Sequence, residues 1–188
     1  MFNDEISKAL EVLRSGGIIL YPTDTIWGIG CDATNEEAVK RVFKLKGRDE
    51  AKSLIVLLDS ENKLQSYVRE VPEIAYDLIE YSEKPLTIIY SDAKNLAPNV
   101  INSDGSVGIR IVKHPFCEQL IQRFKKPIVS TSANISGNPS PKNFLEISNE
   151  ILEGVDYTVS LEQDEALEKT PSTIMKLESD GRFSFIRR

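Results

Sequence analysis

The spacing of apolar residues changes period repeatedly along the chain. In "ISKALEVLRSGG", Ile6, Leu10 and Leu13 fall at helical spacing, and Gly16-Gly17 closes the segment as a C-cap would. "IILYPT" is continuously apolar, as in a buried strand, and Pro22 ends it. "NEEAVKRVFKLKG" returns to helical spacing. Asn35 suits the N-cap, two glutamates fill a first turn whose dipole favours them, and Val39, Val42 and Phe43 form an apolar face. The pattern then predicts a strand at "SLIVLL", a helix over "VPEIAYDLIEYSE" with Pro72 in its first turn, and strands at "PLTIIYS" and "SVGIRIV". A helix "HPFCEQLIQRF", a strand "KPIVSTSA" and a helix "NFLEISNEIL" follow, and "STIMKLESDGRFSFIRR" reads as a hairpin turning at "SDGR".

Strands and helices therefore alternate along most of the chain, which predicts an α/β layer structure. The closing hairpin and short spacings favour a twisted mixed sheet with flanking helices over a purely parallel one. No repeat, low-complexity tract or linker interrupts the pattern, so a single domain over residues 1–188 is expected.

Composition narrows the function. No apolar run approaches the ~20 residues needed to span a bilayer, and the N-terminus carries acids where a signal peptide carries bases. A cytoplasmic protein without membrane contact is expected. Cys31 and Cys117 lie far apart without CxxC spacing and suit small core hydrophobes better than a disulfide or metal pair. His114 is the single histidine, so a zinc site is not expected and a Ser-His-Asp triad has one candidate base. A net charge of −6 lacks the footprint of a protein that grips nucleic acid by its phosphates, although a local basic cleft stays open.

Four strand ends turn polar. In "YPTDTIWGIGCDA", Thr23, Asp24 and Thr25 precede Gly28 and Gly30, glycines that let backbone approach a ligand or adopt positive φ. In "KLKGRDEAKSL", Lys46, Arg48 and Lys52 cluster between a helix and a strand. They serve either to complement the helix C-terminus or to bind a polyphosphate, where Arg gives forked bonds and Lys a point charge. In "SDGSVGIRIV", Arg110 alternates with Ile109 and Ile111 and so faces the other side of the sheet, either toward solvent or as a carboxylate clamp. In "VSTSANISGNPSP", Ser130, Ser132 and Asn134 point one way if the strand continues that far. Turn chemistry accounts for "ISGNPSP" but not for "STSAN", because a buried strand avoids polar groups without partners.

The segments "PTDTIWGIGCDA", "KLKGRDEAKSLIVLL", "KPLTIIY", "VGIRIVKHP" and "STSANISGNPSP", in this order, resemble the YrdC-type threonylcarbamoyl-AMP synthases, as does the closing "PSTIMKL…FIRR". Lys46-Gly47-Arg48 and Ser132-Ala133-Asn134 are the most specific marks. The resemblance implies the short, single-domain form, with an open concave cleft over the sheet. It implies formation of threonylcarbamoyl-AMP and pyrophosphate from L-threonine, bicarbonate or CO2 and ATP, with Mg2+ carried by ATP and no dedicated metal site. A downstream tRNA threonylcarbamoyl transferase would then modify adenosine-37.

Position by position, it implies that Thr25, Arg110, Ser130 and Ser172 hold threonine. Arg48, Lys52, Ser106, Ser132, Asn134, Ser140 and Arg187 are implied for ATP, with Lys46 and Arg48 as the catalytic pair. Three positions depart from the family pattern: Ser53 replaces a proline, Leu57 stands where longer members often carry histidine, and Glu83-Lys84 replaces Pro-Gly. A double-stranded RNA-binding or ribosome-maturation module of the same fold is the alternative, with weak RNA binding.

Overall fold

The computed structural model describes residues 1–164 and 169–188. Among them, nine strands join one sheet: β1 Ile19–Tyr21, β2 Gly28–Gly30, β3 Ile55–Leu58, β4 Leu86–Tyr90, β5 Val107–Ile111, β6 Ile128–Ser132, β7 Tyr157–Thr158, β8 Thr173–Leu177 and β9 Phe183–Arg187. Their order is β7-β1-β2-β6-β3-β5-β4-β8-β9. The pairs β1–β7, β3–β5 and β4–β8 are parallel and the others antiparallel, so the sheet is mixed as the sequence suggests. The helices are α1 Phe2–Arg14, α2 Glu36–Lys46, α3 Ile74–Tyr81, α4 Pro115–Phe124 and α5 Asn149–Gly154.

Each face of the sheet has its own cover. Leu20, Ile29, Val56, Ile88, Ile109, Val129, Met175 and Leu177 pack with α2, α3 and α5. Ile19, Tyr21, Leu57 and Ile128 pack on the opposite face, under the Ile6-Ala9-Leu10-Leu13 stripe of α1 and the apolar side of α4. Burying each large aliphatic of that stripe contributes about 1.5–3 kcal/mol. Cys31 and Cys117 are both free and buried.

The second cover stops partway across the sheet. One cross-strand row runs Ile128, Leu57, Arg110, Thr87, Ile174, Arg187. Its first two members lie under α1 and α4. The next four line an open cavity, together with the adjacent row Ser130, Ile55, Gly108, Ile89. The floor of the site is therefore the bare part of a sheet whose other half is covered.

Two expectations differ from what is found. "NFLEISNEIL" is split: a 3-10 turn at Phe144–Glu146 and α5 are separated by Ile147 and Ser148, both extended. That break lets Ile147 enter the core, and Ser148 starts the next helix by accepting from the Ile151 and Leu152 amides. "GIG" is strand β2, and neither of its glycines has positive φ. A Cβ at Gly30 would lie 2.5 Å from the Val129 carbonyl oxygen and 2.6 Å from the Tyr21 ring, so only glycine lets the neighbouring backbone close in.

Candidate active site

The turn between β1 and β2 is tied by its own hydroxyl. Thr23 Oγ1 accepts from the Thr25 amide at 3.0 Å and donates to the Ile26 carbonyl at 2.8 Å. This holds Thr25 over β5, where its Oγ1 accepts from Arg110 Nη2 at 3.2 Å. Asp24 Oδ1 pairs with the same nitrogen at 3.2 Å, and Asp24 Oδ2 accepts from the Lys113 amide at 3.1 Å. Arg110 is 3% exposed, so the structure rules out a solvent-facing arginine. A charge so deeply buried requires a partner, and Asp24 supplies one. Arg110 Nε has no hydrogen-bond partner among the described residues.

The Lys-x-Arg motif divides its labour. Lys46 is the last residue of α2 and is fully buried; its Nζ donates to the backbone carbonyls of Ser132 and Asn134, the latter at 2.6 Å. Burial, and secondarily the charge of Arg48, lower its pKa from 10.5 to about 8. Gly47 then turns the chain at φ 56°. Arg48 emerges on the cavity side, donates through Nη2 to the Ser53 carbonyl at 2.7 Å, and keeps a buried Nε without a partner. Asn134 Nδ2 binds the carbonyls of Ile135 (3.0 Å) and Asn138 (2.8 Å), folding the loop that leads to Ser140.

The third wall comes from the closing hairpin. Ile174 pairs with Arg187 but Met175 pairs with Phe185, so Ile186 is an inserted bulge residue. Strict alternation from Phe185 would send Arg187 to the opposite face of the sheet; the bulge places it on the cavity face. There its Nε and Nη2 donate to the Ser172 carbonyl at 3.0 and 2.8 Å. Ser172 Oγ and Thr87 Oγ1 are 2.8 Å apart.

These walls enclose a cavity of about 310 Å³. Of the residues expected from sequence, Thr25, Arg48, Arg110, Ser130, Ser132, Ser140, Ser172 and Arg187 line it together. Lys46 and Asn134 lie behind the wall that they brace. Ser106 is one step removed: its hydroxyl donates to Asp104 and accepts from Asn102, and Asn102 lines the cavity. Lys52 is exposed and outside the lining. Leu57 belongs to the core under α1 and α4, while Ser53 lines the cavity and Glu83 and Lys84 border a second hollow beyond Asp24. Thr87, Asn102 and Trp27 line the main cavity without having been singled out. Thr87 carries a signal, a small hydroxyl side chain inside the otherwise apolar and aromatic strand "LTIIY"; Asn102 sits in an irregular loop and carries none.

The electrostatics are one-sided. Among the described residues, the lining holds three arginines and no carboxylate. Burial depresses the pKa of Arg48, and burial with the neighbouring charge of Arg110 depresses that of Arg187. Guanidinium groups offer forked hydrogen bonds to planar or tetrahedral anions, and hydroxyls add donors without charge. Among the described residues no cluster of His, Cys, Asp or Glu could hold a metal ion.

Fold and site together define an α/β domain whose half-covered mixed sheet floors a cationic, hydroxyl-lined cavity. The Sua5/YciO/YrdC family model, described as "Telomere recombination", matches residues 11–188, and the chain belongs to that family. A protein of Pseudoalteromonas translucida named threonylcarbamoyl-AMP synthase is 34% identical over 90% of this chain and 91% of its own length. One of the same name from Photobacterium profundum is 31% identical over 94% and 96%. The P. abyssi Sua5 structure complexed with L-threonine superposes with a TM-score of 0.81 at 29% identity, over 92% of this chain and 50% of that one.

Proposed function

We propose that this chain is a threonylcarbamoyl-AMP synthase, a nucleotidyltransferase that converts L-threonine, bicarbonate or CO2 and ATP into threonylcarbamoyl-AMP and pyrophosphate for tRNA modification. The observation that carries the reading is the convergence of Arg48, Arg110 and Arg187 with the hydroxyls of Thr25, Ser130, Ser132, Ser140 and Ser172 on one cavity. The near-full-length relatives and the threonine-bound P. abyssi Sua5 support the choice of substrates.

Arg110 takes the threonine carboxylate at the cavity floor, and Thr25, Ser130 and Ser172 surround the amino acid. Arg48 and Arg187 meet the phosphates, and Ser132 and Ser140 donate to them. The deprotonated threonine amine adds to CO2, forming the C–N bond and, after proton loss, a carbamate. A carbamate oxygen attacks the α-phosphorus in line. The P–O bond to the β-phosphate breaks, and pyrophosphate leaves with the electron pair. No side chain forms a covalent intermediate. Alignment of three small reactants contributes up to about 7–11 kcal/mol in ideal cases, and fixed cations stabilise the charge that builds on the phosphorane oxygens.

Mg2+ enters with ATP. The described lining offers cations and hydroxyls suited to phosphate, and an ion carried by the nucleotide would neutralise part of its charge. The net charge of −6 works against the RNA-binding reading. The test is incubation with ATP, bicarbonate and each amino acid in turn, with pyrophosphate and adenylate mass as readouts. Product with threonine alone supports the reading; none with threonine overturns it.

A further inference from the structure

The segment that delivers Ser172 to the cavity is fastened outside it. His114, at the N-cap of α4, has Nε2 2.7 Å from Glu162 Oε1. Lys169 Nζ donates to Glu162 Oε2 at 2.9 Å and to the Thr23 carbonyl at 3.2 Å. One carboxylate thus ties the start of α4 to the stretch entering β8, and through Lys169 the same stretch reaches the turn that presents Thr25. Glu162 is held at φ 59°, in the left-handed region that a residue with a Cβ rarely adopts. Such strain persists where the surroundings impose it, and it concentrates at functional sites.

The connection from Lys169 to the cavity is short and stiff. Thr170 precedes Pro171, so its backbone is biased to extended conformations, and the proline ring fixes its own φ. Pro171 and Ser172 then line the cavity, and the Thr173 amide locks onto the Pro85 carbonyl at 3.0 Å. With Lys169 pinned at one end and β8 at the other, the position of Ser172 opposite Thr87 is set. The same lysine braces Thr23, whose hydroxyl shapes the Thr25 turn. Both walls of the amino-acid end share this anchor, whereas Arg48, Ser132 and Ser140 are held by α2 and the 134–138 loop instead.

We infer that Glu162 is a positioning residue for the amino-acid half of the site. Its carboxylate holds Lys169 to the start of α4, and the lysine so placed braces the Thr23–Thr25 turn, so the clip acts on threonine and not on ATP. This rests on the proposed reaction. The variants are Glu162→Ala, Glu162→Asn and Glu162→Gln. Asn suits a positive φ better than Glu but is too short to bridge, so it relaxes the backbone while breaking the clip. Gln keeps the reach and part of the hydrogen bonding.

Steady-state pyrophosphate release is read against threonine and against ATP. The Ala and Asn variants raise the threonine KM by roughly ten- to a hundredfold, as small misplacements of a binding group do. Their ATP KM and thermal midpoint for Asn stay near wild type, and Gln falls between. Hydrogen exchange without substrates reads the clip itself: amides around 169–173 and 23–25 lose protection in Ala and Asn. Unchanged exchange overturns the clip, and an unchanged threonine KM in active enzyme overturns its role. A wild-type protein that makes no adenylate overturns the proposed reaction instead, and exchange still decides the clip.

Discussion

Lys46 offers the sharpest separation between a charge aimed at a ligand and a charge that builds the site. Lys46→Met keeps the length and apolar stem but removes the donor to the Ser132 and Asn134 carbonyls. Two hydrogen bonds to a charged group are worth about 1.5–3 kcal/mol each. Against this stands the cost of keeping the ammonium buried. A pKa of about 8 in place of 10.5 corresponds to roughly 3 kcal/mol. The net loss at pH 7 is therefore about 0–3 kcal/mol.

The pH dependence is the decisive part. Between about 8 and 10.5 the unfolded chain holds a proton on Lys46 that the folded chain has released, so stability rises with pH. Below about 8 both states carry the proton, and the cost of burial is fully present. The methionine variant has no such proton. The gap between wild type and variant should widen at up to about 1.4 kcal/mol per pH unit across that window. Trp27, the only tryptophan and 5% exposed, reports urea unfolding by fluorescence. A wild-type-minus-variant gap that stays flat from pH 7.5 to 9.5 refutes the argument.

Three further outcomes follow from the same geometry. Arg110→Lys keeps the charge opposite Asp24 but loses the fork, so the threonine KM rises by roughly ten- to a hundredfold with little change in the ATP KM, read by pyrophosphate release. Arg48→Ala removes a cation fixed beside the phosphates and lowers kcat/KM for ATP by about a hundredfold or more in the same assay. Deleting Ile186 restores a regular ladder and leaves Arg187 opposite Ile174, so the deletion retains pyrophosphate release that Arg187→Ala loses; equal losses would show that the bulge itself matters.

Much of this architecture is visible in the chain's periodicity. The stripes of α1 and α2, the N-cap at Asn35, the apolar run of β3 and the alternation that turns Arg110 away from Ile109 all appear where spacing places them. Lys46 falls in a basic cluster by sequence, yet positions 39, 42, 43 and 46 follow the i, i+3, i+4, i+7 rule, which puts it on the buried face of α2. Other features depend on long-range pairing that no local window contains. That Ser172 and Arg187 meet Arg110 follows from β4 taking β8 as a parallel neighbour and β9 closing the edge. The strand at Gly28–Gly30 was hidden because glycine suppresses the apolar signal at the place where close packing demands it.

The order of the strands also explains why the cavity is cationic without being unstable. Arg110 sits mid-sheet at the cavity floor, 3% exposed, and among the described residues it alone of the three arginines has an acid partner, Asp24. Arg48 and Arg187 enter from a loop and from the edge strand, and each spends part of its guanidinium on a backbone carbonyl, of Ser53 and Ser172 respectively. Carbonyl oxygens orient a guanidinium without cancelling its charge. The central arginine is thus neutralised where solvent cannot help it, while the two peripheral ones keep their full field where solvent can. An anion entering the cavity meets an uncompensated field at the mouth and a fixed, pre-oriented donor at the floor. This arrangement suits a highly charged nucleotide at the rim and a single carboxylate below it.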